Sequence, residues 1–201
     1  MNILDVAEII GIIAFAFSGF LIAVEVKLDI LGVFIASFLT ALGGGATRDI
    51  IVGRELFAFS NNYASLLVIA VIMIAVLLRL KNLKEIERHP LFISADTVGL
   101  VAFAISGAMI GLEQAYPFFG VILLSLITAV GGGVMRDILI NKIPLVLVAE
   151  FYGTVALVVG MMIFTLGTVS WLNTWSIMIV FVLGLLLRFI ARTRGWHLPK
   201  I

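Results

Sequence analysis

The sequence predicts an all-α membrane protein of seven transmembrane helices, built as an inverted repeat of three helices plus three, with a seventh helix added. Two observations predict this fold. First, 63% of the 201 residues are hydrophobic and only 12% are charged, with a mean hydropathy of +1.26, whereas soluble domains carry about 25% charged residues. Second, one long segment of the chain is repeated. We expect a single transmembrane domain over residues 1–201.

Charge and cysteine content exclude several classes of function. The formal net charge is +1 and no long basic run is present, so we expect no nucleic-acid partner. The chain has no cysteine and two histidines, both in charged flanks, and it offers no thiolate metal site and no credible pair of nucleophile and base. We therefore expect no enzyme activity, no bound metal and no cofactor.

One crossing of a bilayer takes about 20 apolar residues, and the positions at which charges interrupt the sequence mark seven apolar spans. They run approximately over residues 9–24, 30–52, 56–78, 91–112, 116–140, 145–168 and 171–189. The last two come from one uncharged run that is too long for a single crossing. We place the break between them at residues 167–170, beside Trp171 and Trp175, because indole rings favour the membrane interface.

Basic residues predict the orientation. Eight of the 13 Lys and Arg residues would share one side of the membrane, namely Arg79, Lys81, Lys84, Arg88, Arg188, Arg192, Arg194 and Lys200. Because loops rich in Lys and Arg stay in the cytoplasm, we expect the acidic N-terminus outside and the C-terminus inside. The first span lacks a preceding basic segment, so we expect it to remain in the mature chain.

An internal duplication is the most informative pattern in the chain. Residues 14–54 align without a gap on residues 102–142, an offset of 88, with 18 of 41 positions identical. We place repeat one at about residues 5–80, repeat two at about 91–168 and the extra helix at about 171–190. Because each repeat holds an odd number of spans, the second copy is expected to be inverted, with a site near the repeat interface.

A glycine triplet lies near the middle of the second and fifth spans. The six residues are Gly43, Gly44, Gly45, Gly131, Gly132 and Gly133. Each costs a helix about 0.8–1 kcal/mol relative to alanine, so something must compensate. Either the triplets bend or unwind the helices and turn carbonyls towards a water-lined path, or they let helices pack closely through small residues. We favour the first interpretation.

An Arg-Asp pair follows each triplet, Arg48 with Asp49 and Arg136 with Asp137. Charges at this depth usually face a bundle interior or an aqueous cavity and are paired. Since adjacent residues on a helix do not face each other, we expect Arg48 to pair with Asp137 and Arg136 with Asp49. Such pairs would lock the two helices together or line a pathway, and one cluster can do both.

Further polar residues recur at equivalent positions of the two copies. Hydroxyls precede each triplet at helical spacing, at Ser37, Thr40, Ser125 and Thr128. They are suitable ligands for a weakly hydrated monovalent cation, or each bonds back to the preceding turn. Glu8 and Asp96 also match under the offset. For these two we favour ordinary helix-start chemistry over a cation-attracting vestibule.

The segments GGGATRD and GGGVMRD, together with the seven spans and the duplication, resemble the trimeric intracellular cation channel family, in particular its prokaryotic members. The resemblance covers essentially the whole chain. It implies a homotrimer in a prokaryotic inner membrane, in which each subunit has its own K+-permeable pore, kinked at the two glycine triplets. Related bacterial domains carry the label glycine transporter.

Three functions remain open. We favour a passive channel for monovalent cations, K+ foremost, with modest discrimination against Na+ because no TVGYG-type filter is present. The alternative is a secondary transporter of a small neutral solute such as glycine, which midplane Arg and Asp side chains would bind. The third is a membrane scaffold that needs neither triplet for its function.

Overall fold

A computed structural model describes residues 2–60, 62–78, 80, 86, 89–148 and 151–196, and these residues form nine α-helices. The helices are α1 (Ile3–Glu25), α2 (Ile30–Val52), α3 (Phe57–Ser60), α4 (Asn62–Leu77), α5 (Pro90–Glu113), α6 (Phe118–Leu139), α7 (Leu145–Val148), α8 (Tyr152–Thr168) and α9 (Thr174–Thr193). Five of them, α1, α2, α5, α6 and α9, are long and apolar enough to cross a membrane. The protein is therefore an all-helical membrane protein.

Local sequence explains where the long helices begin and end. Asn2 and Asp5 form a reciprocal capping box at the start of α1, and the Asp29 carboxylate accepts a 2.7 Å hydrogen bond from the Gly32 N–H at the start of α2. Such caps satisfy backbone donors that have no partner inside the helix. The predicted break after the sixth span is confirmed, because α8 ends at Thr168 and Ser170 is left-handed with φ 58°.

The third and sixth predicted spans each correspond to a short helix followed by a longer one, and the sixth is interrupted. The third predicted span, 56–78, corresponds to α3 and to α4, which has 16 residues, and residue 61 between them lies outside the described residues. Instead of one helix over residues 145–168, the chain forms α7 and then α8, which has 17 residues. Phe151 directly precedes α8 with a left-handed φ of 51°, a conformation that an α-helix cannot contain. Apolar composition alone carries no signal for this interruption.

The core is a four-helix unit in which α1 packs against α5 and α2 against α6. The Phe15 and Phe103 rings meet at its centre, with centroids 5.4 Å apart. A Cβ atom on Gly99 would collide with the Phe15 ring, and one on Gly11 would lie 2.9 Å from the Phe103 ring. Because the partner number falls as the residue number rises, α1 and α5 run antiparallel. Around this unit, α4 packs on α1, α8 on α5 and α6, and α9 on α8 and α5.

The glycine triplets lie inside uninterrupted helices. Both α2 and α6 continue through them, so the unwinding favoured from the sequence is absent from these two described segments. A Cβ on Gly44 would collide with the Thr128 carbonyl oxygen, and one on Gly132 with the Thr40 carbonyl oxygen. The triplets are thus the place where α2 and α6 cross in antiparallel contact, as the close-packing alternative requires.

Three of the eight basic residues that predict the orientation lie within the described part of the chain. Arg79, Lys81, Lys84, Arg88 and Lys200 lie outside the described residues. Arg192 lies in the last turn of α9 and Arg194 follows that helix. Arg188, counted among the basic residues that set the orientation, lies inside α9 and is only 4% exposed. It is therefore a buried charge and not a loop residue.

Candidate functional site

A group of polar side chains, which we call the first charge cluster, is buried between α1, α2 and α5. It consists of Glu8, Arg48, Asp49 and Ser106, and each is at most 5% exposed. The Arg48 Nη1 atom lies 2.7 Å from Glu8 Oε1 and donates to Ser106 Oγ at 2.6 Å. Ser106 Oγ donates to the same Glu8 oxygen at 3.2 Å. Three side chains from three helices therefore close a hydrogen-bonded triangle.

The second charge cluster repeats this arrangement between α5, α6 and α1. It consists of Ser18, Asp96, Arg136 and Asp137, and each is at most 4% exposed. Arg136 Nη1 lies 3.2 Å from Asp96 Oδ1 and donates to Ser18 Oγ at 2.7 Å, while Ser18 Oγ donates to Asp96 Oδ1 at 3.1 Å. Each member lies 88 positions from its counterpart in the first cluster.

The ion pairs across the repeats that we expected from the sequence are wrong. Arg48 Nε donates to its own neighbour Asp49 at 2.9 Å, and Arg136 Nε donates to Asp137 at 2.8 Å. The argument from diverging Cβ directions fails here because an arginine side chain is long enough to fold back over the next residue. Its outer nitrogens then remain available for Glu8 in the first cluster.

Each cluster also connects the end of one helix to the start of the next. Asp49 Oδ2 accepts a 3.0 Å hydrogen bond from the Phe57 N–H, and Asp137 Oδ2 accepts a 2.9 Å bond from the Leu145 N–H. These donors belong to the first residues of α3 and α7. Each aspartate therefore satisfies a backbone donor that a short helix leaves unpaired.

Two more exposed ion pairs lie at the ends of the core helices, which we call the rim, and they are related by the same offset of 88 positions as the clusters. Arg54 lies 3.6 Å from Glu113, and Lys142 lies 3.6 Å from Glu25. Lys142 and Glu113 are displaced by 88 positions from Arg54 and Glu25. The sequence duplication is thus reproduced as matched contacts, both buried and exposed.

The four predicted hydroxyl residues are fully buried, and they differ in their partners. Thr40 and Thr128 each donate to the carbonyl four residues earlier at 2.6 Å, in the back-bonding that was the alternative to cation ligation. Ser125 Oγ lies 2.8 Å from the Ala104 carbonyl and 3.0 Å from that of Ala156. Ser37 Oγ has no hydrogen-bond partner among the described residues.

The cavities beside the two clusters differ in volume. The cavity next to Glu8, Arg48 and Gly45 has a volume of about 10 Å³, roughly the space for a single water molecule. A pocket of about 320 Å³ reaches Arg136 and Asp137 in the second cluster. The first cluster is therefore closed in this conformation, and the second lies against an open pocket.

Sequence reasoning found the arginines and aspartates of the clusters but missed several partners. Glu8 and Asp96 were assigned to helix starts, although their match under the offset was a usable signal. Ser18 and Ser106 fall within the repeated segments as an identical pair, and that identity was the only sign of their role. The signal for Arg188 was a single charge near the end of an apolar run.

Two solved structures to which this chain is similar are described as cation channels. The chain matches a prokaryotic TRIC channel crystallised in 0.5 M KCl with a TM-score of 0.87 and 33% identity, over 98% of each chain. It matches the trimeric intracellular cation channel orthologue of Rhodobacter sphaeroides with a TM-score of 0.89 and 25% identity, over 97% of this chain and 100% of that one. The fold is therefore that of the TRIC channels, as the triplet segments indicated.

The chain belongs to the family described as glycine transporter, whose model matches residues 5–79 and 93–168. The UPF0126 membrane protein YvgT of Bacillus subtilis is 34% identical over 98% of this chain and 95% of its own. The UPF0126 inner membrane protein YadS of Escherichia coli K12 is 31% identical over 76% of this chain and 73% of its own. These relatives are named as membrane proteins.

Proposed function

We propose that the chain is a passive channel for monovalent cations, K+ foremost, whose path runs between the two repeats past both charge clusters. One observation carries the proposal: two formally anionic clusters, each with two carboxylates and one guanidinium, are buried at equivalent positions of the two halves. Buried charges in a membrane protein usually mark an ion or substrate pathway. The similarity to TRIC cation channels supports the same function.

The proposed topology has seven crossings, with α3 and α4 together as the third and α7 and α8 together as the sixth. The antiparallel contact of α1 with α5 and of α2 with α6 supports two oppositely inserted copies. The first cluster then lies towards the outer face and the second towards the cytoplasm, with the N-terminus outside. We further propose a homotrimer in a prokaryotic inner membrane, with one pore in each subunit.

The proposed pore-lining residues are the four hydroxyls, Ser37, Thr40, Ser125 and Thr128, and the charged residues Arg48, Asp49, Arg136 and Asp137. In the described conformation the first cluster leaves a cavity of only about 10 Å³. We therefore propose that this conformation is closed. Opening requires Arg48 to leave Glu8 and Ser106, and the glycine triplets are the proposed hinges at which α2 and α6 bend apart.

The test is a planar-bilayer recording of the purified protein with K+, Na+ and a bulky organic cation in turn. We expect unitary K+ currents, smaller Na+ currents and no current from the bulky cation. Glu8→Gln removes a carboxylate from the first cluster and is expected to change the unitary K+ conductance. Glu113→Gln removes a carboxylate from an ion pair at the rim, where the side chain is 49% exposed, and serves as the matched control.

Two results would contradict this function. One is the absence of current at every voltage while incorporation is verified. The other is saturable glycine uptake driven by an ion gradient without unitary currents, which would select the secondary transporter. Because the family is described as glycine transporter, glycine uptake has to be measured alongside the bilayer recordings.

A further inference from the structure

Two phenylalanine rings meet in the centre of the four-helix unit. Phe15 of α1 and Phe103 of α5 are 0% and 3% exposed, and their ring centroids are 5.4 Å apart. The two residues are related by the offset of 88 positions, so each repeat contributes one ring at the same place. The ring pair therefore lies where the two copies face each other.

On α1, the ring lies on the same side as one polar residue of each charge cluster. Glu8 precedes Phe15 by seven residues and Ser18 follows it by three, and residues at these spacings share a helix face. At a rise of 1.5 Å per residue, Phe15 lies about 10 Å from Glu8 and about 4.5 Å from Ser18 along the helix axis. The buried face of α1 thus leads from the first cluster, over an aromatic ring, to the second cluster.

Helix α5 repeats this order in the opposite direction. Asp96 of the second cluster precedes Phe103 by seven residues, and Ser106 of the first cluster follows it by three. Because α1 and α5 run antiparallel, Phe103 meets Phe15 with one charge cluster on either side of the pair. Any path that joins the two clusters along these faces has to pass the two rings.

Each ring lies against a glycine of the other helix. A Cβ on Gly99 would collide with the Phe15 ring, and one on Gly11 would lie 2.9 Å from the Phe103 ring. Phe103 is also one of the residues that line the cavity of about 10 Å³ beside Glu8. The space for roughly one water molecule beside the first cluster is therefore bounded by an aromatic residue.

Apolar side chains in a narrow passage stop ions, because an ion that loses its water there finds no polar group in exchange. We propose that Phe15 and Phe103 form a hydrophobic gate in the middle of the cation path, between the two charge clusters. The gate favours the closed state, because opening separates the rings and exposes their apolar surface to water. It acts in addition to the bonds that hold Arg48 in the first cluster.

This inference rests on the proposed channel function, and its readout is the ratio of open to closed time in planar-bilayer recordings. Phe15→Thr and Phe103→Thr each replace a ring by a small polar side chain. Each is expected to raise this ratio by about ten-fold or more, because the closed state no longer gains from the burial of a ring. The unitary K+ conductance, which Glu8→Gln tests, is expected to stay at the wild-type value.

Two control variants separate the gate from a general loss of packing. Phe103→Met keeps an apolar side chain and is expected to keep the wild-type ratio of open to closed time. Phe20→Thr removes a ring that is 1% exposed on another face of α1 and is the matched control. The inference is overturned if both gate threonine variants open like the wild type, or if Phe103→Met or Phe20→Thr opens as readily as they do.

Gly99→Ala decides the question if the threonine variants at the gate do not assemble. It keeps both rings but displaces Phe15, because the added methyl group would collide with that ring. It is expected to raise the ratio of open to closed time, and a wild-type ratio would then overturn the inference. An absence of current in the wild type and in every variant would instead reject the channel function itself.

Discussion

Gly44 in α2 lies directly against the carbonyl oxygen of Thr128 in α6, and Gly132 in α6 lies in the same way against the carbonyl oxygen of Thr40 in α2. These reciprocal contacts allow the backbones of two antiparallel helices to touch near their middles. The unfavourable helix propensity of glycine, about 0.8–1 kcal/mol per residue, is therefore offset by backbone contact that no larger residue permits.

Alanine in place of Gly44 should separate the two helices. We expect Gly44→Ala to lower the free energy of unfolding by about 1–3 kcal/mol, because the added methyl group meets backbone and not a flexible side chain. The measurement is an SDS titration of the purified protein in mixed micelles, followed by circular dichroism. Gly132→Ala should behave in the same way, since its Cβ meets the Thr40 carbonyl.

The control for this prediction lies in the same triplet. A Cβ on Gly45 would have only Arg48 Nη2 within reach, at 3.8 Å, so Gly45→Ala should be neutral or stabilise the protein by up to about 1 kcal/mol. Equal stability of Gly44→Ala and Gly45→Ala would mean that the crossing of α2 and α6 is not as close as described.

The duplication predicted the arginine and the aspartate beside it in each cluster, but neither the other two members nor the internal pairing. An offset of 88 tells which residues are equivalent, and it correctly relates Arg48 to Arg136 and Asp49 to Asp137. It does not tell whether an arginine contacts the other copy or its own neighbour. The partner of each arginine depends on the length of its side chain and on a third helix that brings Glu8 or Asp96 within reach. An alignment of the two repeats contains neither piece of information.

A double-mutant cycle tests the pairing that the structure gives. Arg48→Met should be strongly destabilising, by about 3–5 kcal/mol, because it leaves the buried carboxylates of Glu8 and Asp49 without a cation. Glu8→Gln should cost less, because Arg48 keeps its ion pair with Asp49. Their double variant should recover part of the loss, with a coupling energy of about 0.5–3 kcal/mol. A cycle between Arg48 and Asp137 should show coupling near zero, measured by the same SDS titration.

The exposed Arg54–Glu113 ion pair serves as the reference for this cycle. The Arg54–Glu113 pair is 3.6 Å apart with both side chains more than 40% exposed, and exposed pairs contribute only about 0–1 kcal/mol. Arg54→Met should therefore leave stability nearly unchanged. The structure would be contradicted if Arg48 coupled to Asp137 more strongly than to Glu8.

Ser37 and Ser125 occupy equivalent positions but should respond differently to the loss of their hydroxyl groups. Ser125→Ala removes a hydroxyl that lies between two backbone carbonyls and should cost about 0.5–1.5 kcal/mol. Ser37→Ala removes a buried hydroxyl without a partner among the described residues and should be neutral or stabilising. Thermal unfolding in detergent measures both, and a larger cost at Ser37 would show that this hydroxyl is bonded in the native protein.

The differences between the halves were beyond what the sequence could predict. Gly160 allows α8 to approach α6, since its Cβ would lie only 2.9 Å from the Ser125 Cβ. The equivalent residue in α4 is Ile72, which lines an apolar pocket of about 820 Å³ between α1, α2 and α4. In the alignment, Ile72 and Gly160 are an ordinary mismatch. Only the packing shows that α8 lies close to α6 at Gly160, whereas α4 borders a pocket at Ile72.

Glu55 and Ile143 provide a direct test of the proposed inversion. They are 88 positions apart, both follow a core helix by a few residues, and Ile143 is 68% exposed. The chain contains no cysteine, so a single introduced cysteine reports one position without background. If the second copy is inserted in the opposite direction, Glu55→Cys should react with a membrane-impermeant maleimide in intact cells. Ile143→Cys should react only after permeabilisation, and labelling of both positions from the same side would reject the inverted arrangement and with it the assignment of the two clusters to opposite faces.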